Sequence, residues 1–123
     1  MKIEEFQKIK EGSILYNIWG YDQTITDYCK IIKSGNKSFK CQKIGKSIIA
    51  DLSPSYGSKI IPNPNKTIGK PFNVLVKKYP KNNYGEEIYL VGSYPLGNSN
   101  DDSTKIRGSW SEWDGKPDFD TER

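Results

Sequence analysis

Turn residues cut this chain at short intervals, and the runs left between them suit strands. Eleven glycines and seven prolines are spread along it. They separate "SILYNIW" (13–19), "TITDYCKIIK" (24–33), "KSFKCQKIG" (37–45), "KSIIADL" (46–52), "FNVLVKKY" (72–79), "EEIYLVGSY" (86–94) and a last short strand within "IRGSWSEWDGKP" (106–117). Ile, Val, Tyr, Phe and Trp favour pleated surfaces, and frequent Gly and Pro mark turns. One stretch departs from this pattern. "KIEEFQKIK" (2–10) places Ile3, Phe6 and Ile9 on one face of a short amphipathic helical turn. The expected fold is mainly β: a small, strongly bent antiparallel sheet or SH3-like barrel with one short N-terminal helix.

The chain of 123 residues suits one domain, 1–123, burying roughly two-thirds of its unfolded surface. Aromatics at 12% argue against disorder. "SPSYGSKIIPNPNKTIGKP" (53–71) reads as a loop with a short extended piece around Ile60 and Ile61, and "DFDTER" (118–123) reads as a loose tail. No apolar run approaches the ~18 residues that a bilayer span needs, and "MKIEEFQKIKEG" lacks the apolar centre of a signal peptide. The expectation is a cytoplasmic protein without membrane contact.

The hairpin around Ser34-Gly35-Asn36 offers a register. A three-residue loop pairs Lys33 with Lys37, Ile31 with Phe39 and Cys29 with Cys41, which collects Ile25, Cys29, Ile31, Phe39 and Cys41 on one apolar face. A two-residue loop would oppose Ile31 to Lys40. The three-residue register is therefore expected, with Cys29 and Cys41 as buried, reduced neighbours.

Histidine is absent, which removes Ser–His–Asp and Cys–His catalysis and the mixed His/Cys zinc sites. Two cysteines cannot build a four-cysteine site, and neither phosphate-cradling loop motif occurs. "NSNDDS" (98–103) lacks the spacing of a calcium loop. No metal and no cofactor are expected. Catalysis by carboxylates stays formally open through Asp22, Asp27, Asp51 and Asp114. The net charge of +4 suits a polyanionic partner and an ordinary soluble surface alike.

Two clusters stand out. Trp19, Gly20, Tyr21, Asp22, Gln23 and Thr24 gather stacking surface, donors and acceptors, with Gly20 permitting a strand bulge that lets them converge. Trp110, Trp113, Asp114 and Lys116 gather before Pro117. Aromatic faces beside lysine suit a base and its phosphate. The expected ligand-binding residues are Trp19, Tyr21, Asp22, Gln23, Thr24, Trp113, Asp114 and Lys116. The competing reading makes Trp19 and Trp113 architectural, each indole N–H bonded to a carboxylate or carbonyl.

"GSIL" (12–15), "WGYDQT" (19–24), "DYCKIIK" (27–33), "IIPNP" (60–64), "IGKPF" (68–72) and "WDGKP" (113–117) together resemble a family of small proteins encoded by tailed bacteriophages and prophages. The resemblance implies an accessory role in the infected host, such as countering host defence or binding nucleic acid. The leading expectation is a non-catalytic binder of an anionic, base-containing ligand, either nucleic acid or a nucleotide signal. A protein–protein inhibitor of a host defence protein, anchored by Trp19 and Trp110, is the alternative. A carboxylate enzyme using Asp22 or Asp27 ranks third, and a homo-oligomer is left open.

Overall fold

A computed structural model describes residues 3–20, 24–53, 57–81, 85–95 and 105–121. Helix α1 (Ile3–Gln7) precedes seven strands: β1 (Ile14–Trp19), β2 (Ile25–Ser34), β3 (Ser38–Ser53), β4 (Gly57–Lys81), β5 (Gly85–Pro95), β6 (Lys105–Glu112) and β7 (Asp118–Asp120). Strands β1 to β6 pair antiparallel, each with the next, and β6 returns to β1. The result is a closed six-stranded barrel of up-and-down strands, which leaves few open edges. The mainly-β, barrel-like expectation with one short helix holds.

The interior is filled by alternate residues of every strand. Leu15, Cys29, Ile31, Phe39, Cys41, Val74, Ile88, Leu90, Tyr94 and Trp110 form one buried cluster, joined by Ile9. Phe6 of α1 lies against Phe39, ring centroids 5.9 Å apart, so the amphipathic turn packs over one end. β2 is buried on both faces, because Tyr28 points outward into a second cluster with Ile44 and Ile60. Tyr16 and Trp113 pack against that cluster.

Four local expectations are corrected. The β2–β3 register pairs Ile31 with Cys41, Cys29 with Lys43 and Lys33 with Lys40. A break between Ile31 and Lys33 leaves Ile32 40% exposed. The body of the hairpin has slid by two residues from the three-residue-loop register, which keeps every side chain on its face. Hence Cys29 and Cys41 are still buried and reduced. They remain near neighbours, hydrogen-bonded through their side chains. Burial first, and this contact second, holds the Cys29 thiol well above its ordinary pKa.

Residues 46–53 and 57–71, expected as a separate strand and a loop, are strand throughout. They continue one long β3–β4 ladder, with register breaks between Cys41 and Lys43 and between Ile44 and Gly45. Pro64 and Pro71 fall in those breaks, where no ladder N–H is required. Gln42 stabilises the first break, its amide donating to the carbonyls of Ile68 at 2.8 Å and Gly69 at 3.1 Å. Residues 118–121 are not a loose tail. β7 pairs with Ser58–Ile60, and Thr121 exchanges hydrogen bonds with Thr24. Gly57, at φ 81, lies so close beneath the Asp120 carbonyl that a Cβ there would collide with it. Finally, Gly20 does not bulge a strand. It follows the end of β1 with φ 128, and β2 begins at Ile25. No helix among the described residues is long and apolar enough to cross a membrane.

Candidate functional site

Trp19 and Trp113 stand apart: Trp19 ends β1, and Trp113 follows β6. Trp19 shares its face with Leu15 and Asn17, which look into the barrel. Its indole N–H donates to Asp27 Oδ2 at 2.7 Å. The Tyr94 hydroxyl donates to the same oxygen at 2.8 Å and accepts from Asn17 Nδ2 at 3.0 Å. Asp27 Oδ1 faces Lys43 Nζ at 3.6 Å and Lys46 Nζ at 3.8 Å. Lys46 also meets Asp120 Oδ2 at 2.6 Å, and that oxygen accepts the Thr26 amide at 3.0 Å. Asp27, Lys43 and Asp120 are all almost fully buried. Burial first, then the Asp27 charge, pushes the Tyr94 phenol far above its ordinary value.

Trp113 lies outside the barrel wall. Its N–H donates to the Lys116 carbonyl at 2.9 Å and to Asp118 Oδ2 at 3.0 Å. The Tyr28 hydroxyl donates to the same Asp118 oxygen at 2.6 Å, and the two rings meet edge to face. Burial, followed by this hydrogen bond, raises the Tyr28 phenol strongly. Asp114 is exposed and caps the turn by accepting the Lys116 amide at 2.9 Å, while Lys116 points to solvent. Trp113, Asp114 and Lys116 thus sit together, but Trp19 is not with them. Thr24 holds Thr121 through its backbone. Tyr21, Asp22 and Gln23 lie outside the described residues, as does the 98–103 segment. Trp110 is core, 2% exposed, and so is not a docking anchor.

Asp27 is also no poised catalytic acid. Its oxygens are committed to an indole, a phenol and two ammonium groups within the protein. Removing any partner from such a buried set leaves an uncompensated charge, which makes it architecture of high consequence.

Five lysines gather elsewhere, around the β2–β3 turn and the neighbouring part of β4. A groove of about 240 Å3 is lined by Lys33, Ser34, Gly35, Ser38, Lys40 and Asn73. A second, of about 560 Å3, is lined by Asn36, Lys37, Leu75, Val76, Lys77 and Lys78. Among the described residues, five lysines and no carboxylate line the two. All five are exposed, and none joins an ion pair among the described residues. Lys78 lies over the Phe6 ring, 5.9 Å from its centroid. Lys33 and Lys40 face each other directly across β2 and β3. Like charges so placed repel, by roughly 0.2–1 kcal/mol. Glu11 reaches the edge of this turn, its carboxylate accepting the Ser34 amide at 3.5 Å.

Sequence reasoning missed this face because its lysines are scattered over residues 33–78. The signal was available in part: alternation turns Lys40 and Lys77 outward once Cys41 and Val74 are placed inside, whereas Lys33, of one parity with Ile31, turns outward only through the break at Ile32. Comparison with known proteins finds no matching family, no matching characterised protein and no matching solved structure.

Proposed function

We propose that the chain is a non-catalytic binder of an anionic, base-containing ligand, nucleic acid or a nucleotide signal, held on the lysine face of β2, β3 and β4. One observation carries the reading: five exposed lysines, and no carboxylate among the described residues, line the two grooves. Bringing like charges together in a folded protein is unfavourable unless an anion joins them. In the host-cell cytoplasm such a protein would act by sequestration, in keeping with the phage accessory role that the resemblance implies. Trp19 and Trp113 support the two ends of the fold in this reading and do not stack on the ligand.

The test is the salt dependence of oligonucleotide binding, followed by fluorescence anisotropy. The slope of log affinity against log salt should be steep, about 0.7–0.9 per phosphate contacted. The variant carrying Lys33→Gln, Lys40→Gln and Lys77→Gln should lose about two to three units of that slope while melting at the wild-type temperature. Binding that ignores salt, or a triple variant that binds like wild type, rejects the proposal. Ile48 and Ile49, 64% and 50% exposed on β3, favour the second reading, a protein partner. That partner would be lost on substituting them and kept in the lysine variant.

A further inference from the structure

The lysine face is not flat. Lys33 stands on β2, Lys40 on β3 and Lys77 on β4, and its outward rows continue onto β5. These are four of the six strands that close the barrel. Neighbouring strands lie about 4.8 Å apart and rotate against one another by about 20–25°. The charges therefore wind around a strongly curved wall.

Apolar surface is set among them. Leu75 is 42% exposed and Tyr89 39% exposed. Leu75 pairs with Ser38 on one side and Val91 on the other, and Tyr89 is directly opposite Lys77. Val74, Ile88 and Leu90 point into the core, so Leu75, Lys77, Tyr89 and Val91 share the outward face. The Lys33–Lys40 row and the Lys77–Tyr89 row then flank the Ser38–Leu75–Val91 row, each about 7 Å away, two residues along the strands.

Resting on the binding reading above, we propose that this face takes a flexible single strand of nucleic acid and discriminates against the duplex. Its phosphates lie on the two lysine rows and its bases lie against Tyr89 and Leu75. A duplex hides the faces of its bases, so Tyr89 and Leu75 would gain nothing from it. It is also stiff over about 50 nm, so it touches a small curved barrel along a narrow line and leaves one lysine row unused. A single strand bends around the wall, and every base presents a π-face for stacking.

Anisotropy with a labelled thymidine oligomer of about 16 nucleotides, with a duplex of the same length, and with thymidine monophosphate as competitor tests this. The single strand should bind at least tenfold more tightly than the duplex, and the monophosphate should compete only weakly. Tyr89→Ala should lower single-strand affinity about tenfold without changing the salt slope, and Tyr89→Phe should bind like wild type. Should Tyr89→Ala not fold, Leu75→Ser takes its place, with a smaller loss expected. Equal or tighter duplex binding, full competition by the monophosphate, or unchanged binding in both variants overturns the single-strand assignment and leaves the polyanion reading standing. Failure of both oligomers to bind in a salt-dependent way overturns the two together.

Discussion

Lysine does opposite work at two places in this barrel. At one, Lys43 and Lys46 are drawn toward Asp27 and Asp120, among Trp19 and Tyr94. At the other, Lys33, Lys37, Lys40 and Lys77 face solvent, with no acid among the described residues that line their grooves. The side chain is the same, and the carboxylate decides the role. Where carboxylate and ammonium are buried together, the charges hold the fold. Where ammonium groups gather alone, the surface is left to attract something from outside.

The contrast breaks most visibly at Asp27. Asp27→Asn should cost about 3–5 kcal/mol, because it removes the buried carboxylate that faces Lys43 and Lys46, and urea unfolding should record it. The fraction that stays folded should keep the salt slope of oligonucleotide binding, since the lysine face is untouched. A variant as stable as wild type would mean that the buried end is not structural.

Gly108 sharpens the same side. A Cβ there would come within 2.6 Å of Asn17 Nδ2 and 2.8 Å of the Tyr94 ring. Gly108→Ala should therefore cost about 1–3 kcal/mol by overpacking and should displace the Tyr94 hydroxyl from Asp27. Adding Asn17→Ala should recover part of the loss. An additive double variant would show that Asn17 is not what the methyl strikes.

Alkali separates the regions by titration. Tyr28 and Tyr94 have folded-state pKa values raised above the ordinary 10.0. Their neutral forms are favoured by folding, so that stability is complete below pH 10. It falls as the pH rises above 10 toward the folded values, because the unfolded chain releases its phenolic protons first. Thermal melting across this range should show the loss, and Tyr28→Phe should flatten it. A melting temperature that rises above pH 10 would contradict the assignment.

The smallest stability effect belongs to the exposed lysines. Lys33→Ala should change folding stability by no more than about 0.5 kcal/mol, toward a gain, because it relieves the repulsion with Lys40. Its effect should appear in binding. A clear loss of stability in denaturant titration would show that Lys33 has a structural partner.

The strand content, the central turns and the helical cap were legible from local pattern alone. The register of β2 on β3 was not: a one-residue break at Ile32 turns Lys33 away from the face of Ile31, and the body beyond it sits two residues from the three-residue-loop register. The buried charges were partly legible. Ile25, Asp27, Cys29 and Ile31 have one parity, as do Phe39, Cys41 and Lys43, so alternation puts Asp27 and Lys43 inside. Charge argues for solvent, and only the meeting of β2 and β3 reconciles the two. Asp118 and Asp120 were opaque for the same reason at longer range. Their partners, Tyr28, Thr26 and Lys46, are more than 70 residues away. A short acidic segment whose partners lie so far along the chain looks like a free end until the barrel exists to receive it.

The seam that closes the barrel has a kinetic consequence. β1 meets β6 through only two residue pairs, Leu15 with Glu112 and Tyr16 with Ser111, and these join positions from opposite ends of the chain. Such a contact requires the largest loop closure and offers the fewest hydrogen bonds in return. It should be the last ladder to form and the first whose amides exchange with solvent. Strands β3 and β4 lie on the far side of the ring from it. The barrel can breathe at its seam while the wall that carries Lys33, Lys40, Lys77 and Tyr89 keeps its curvature.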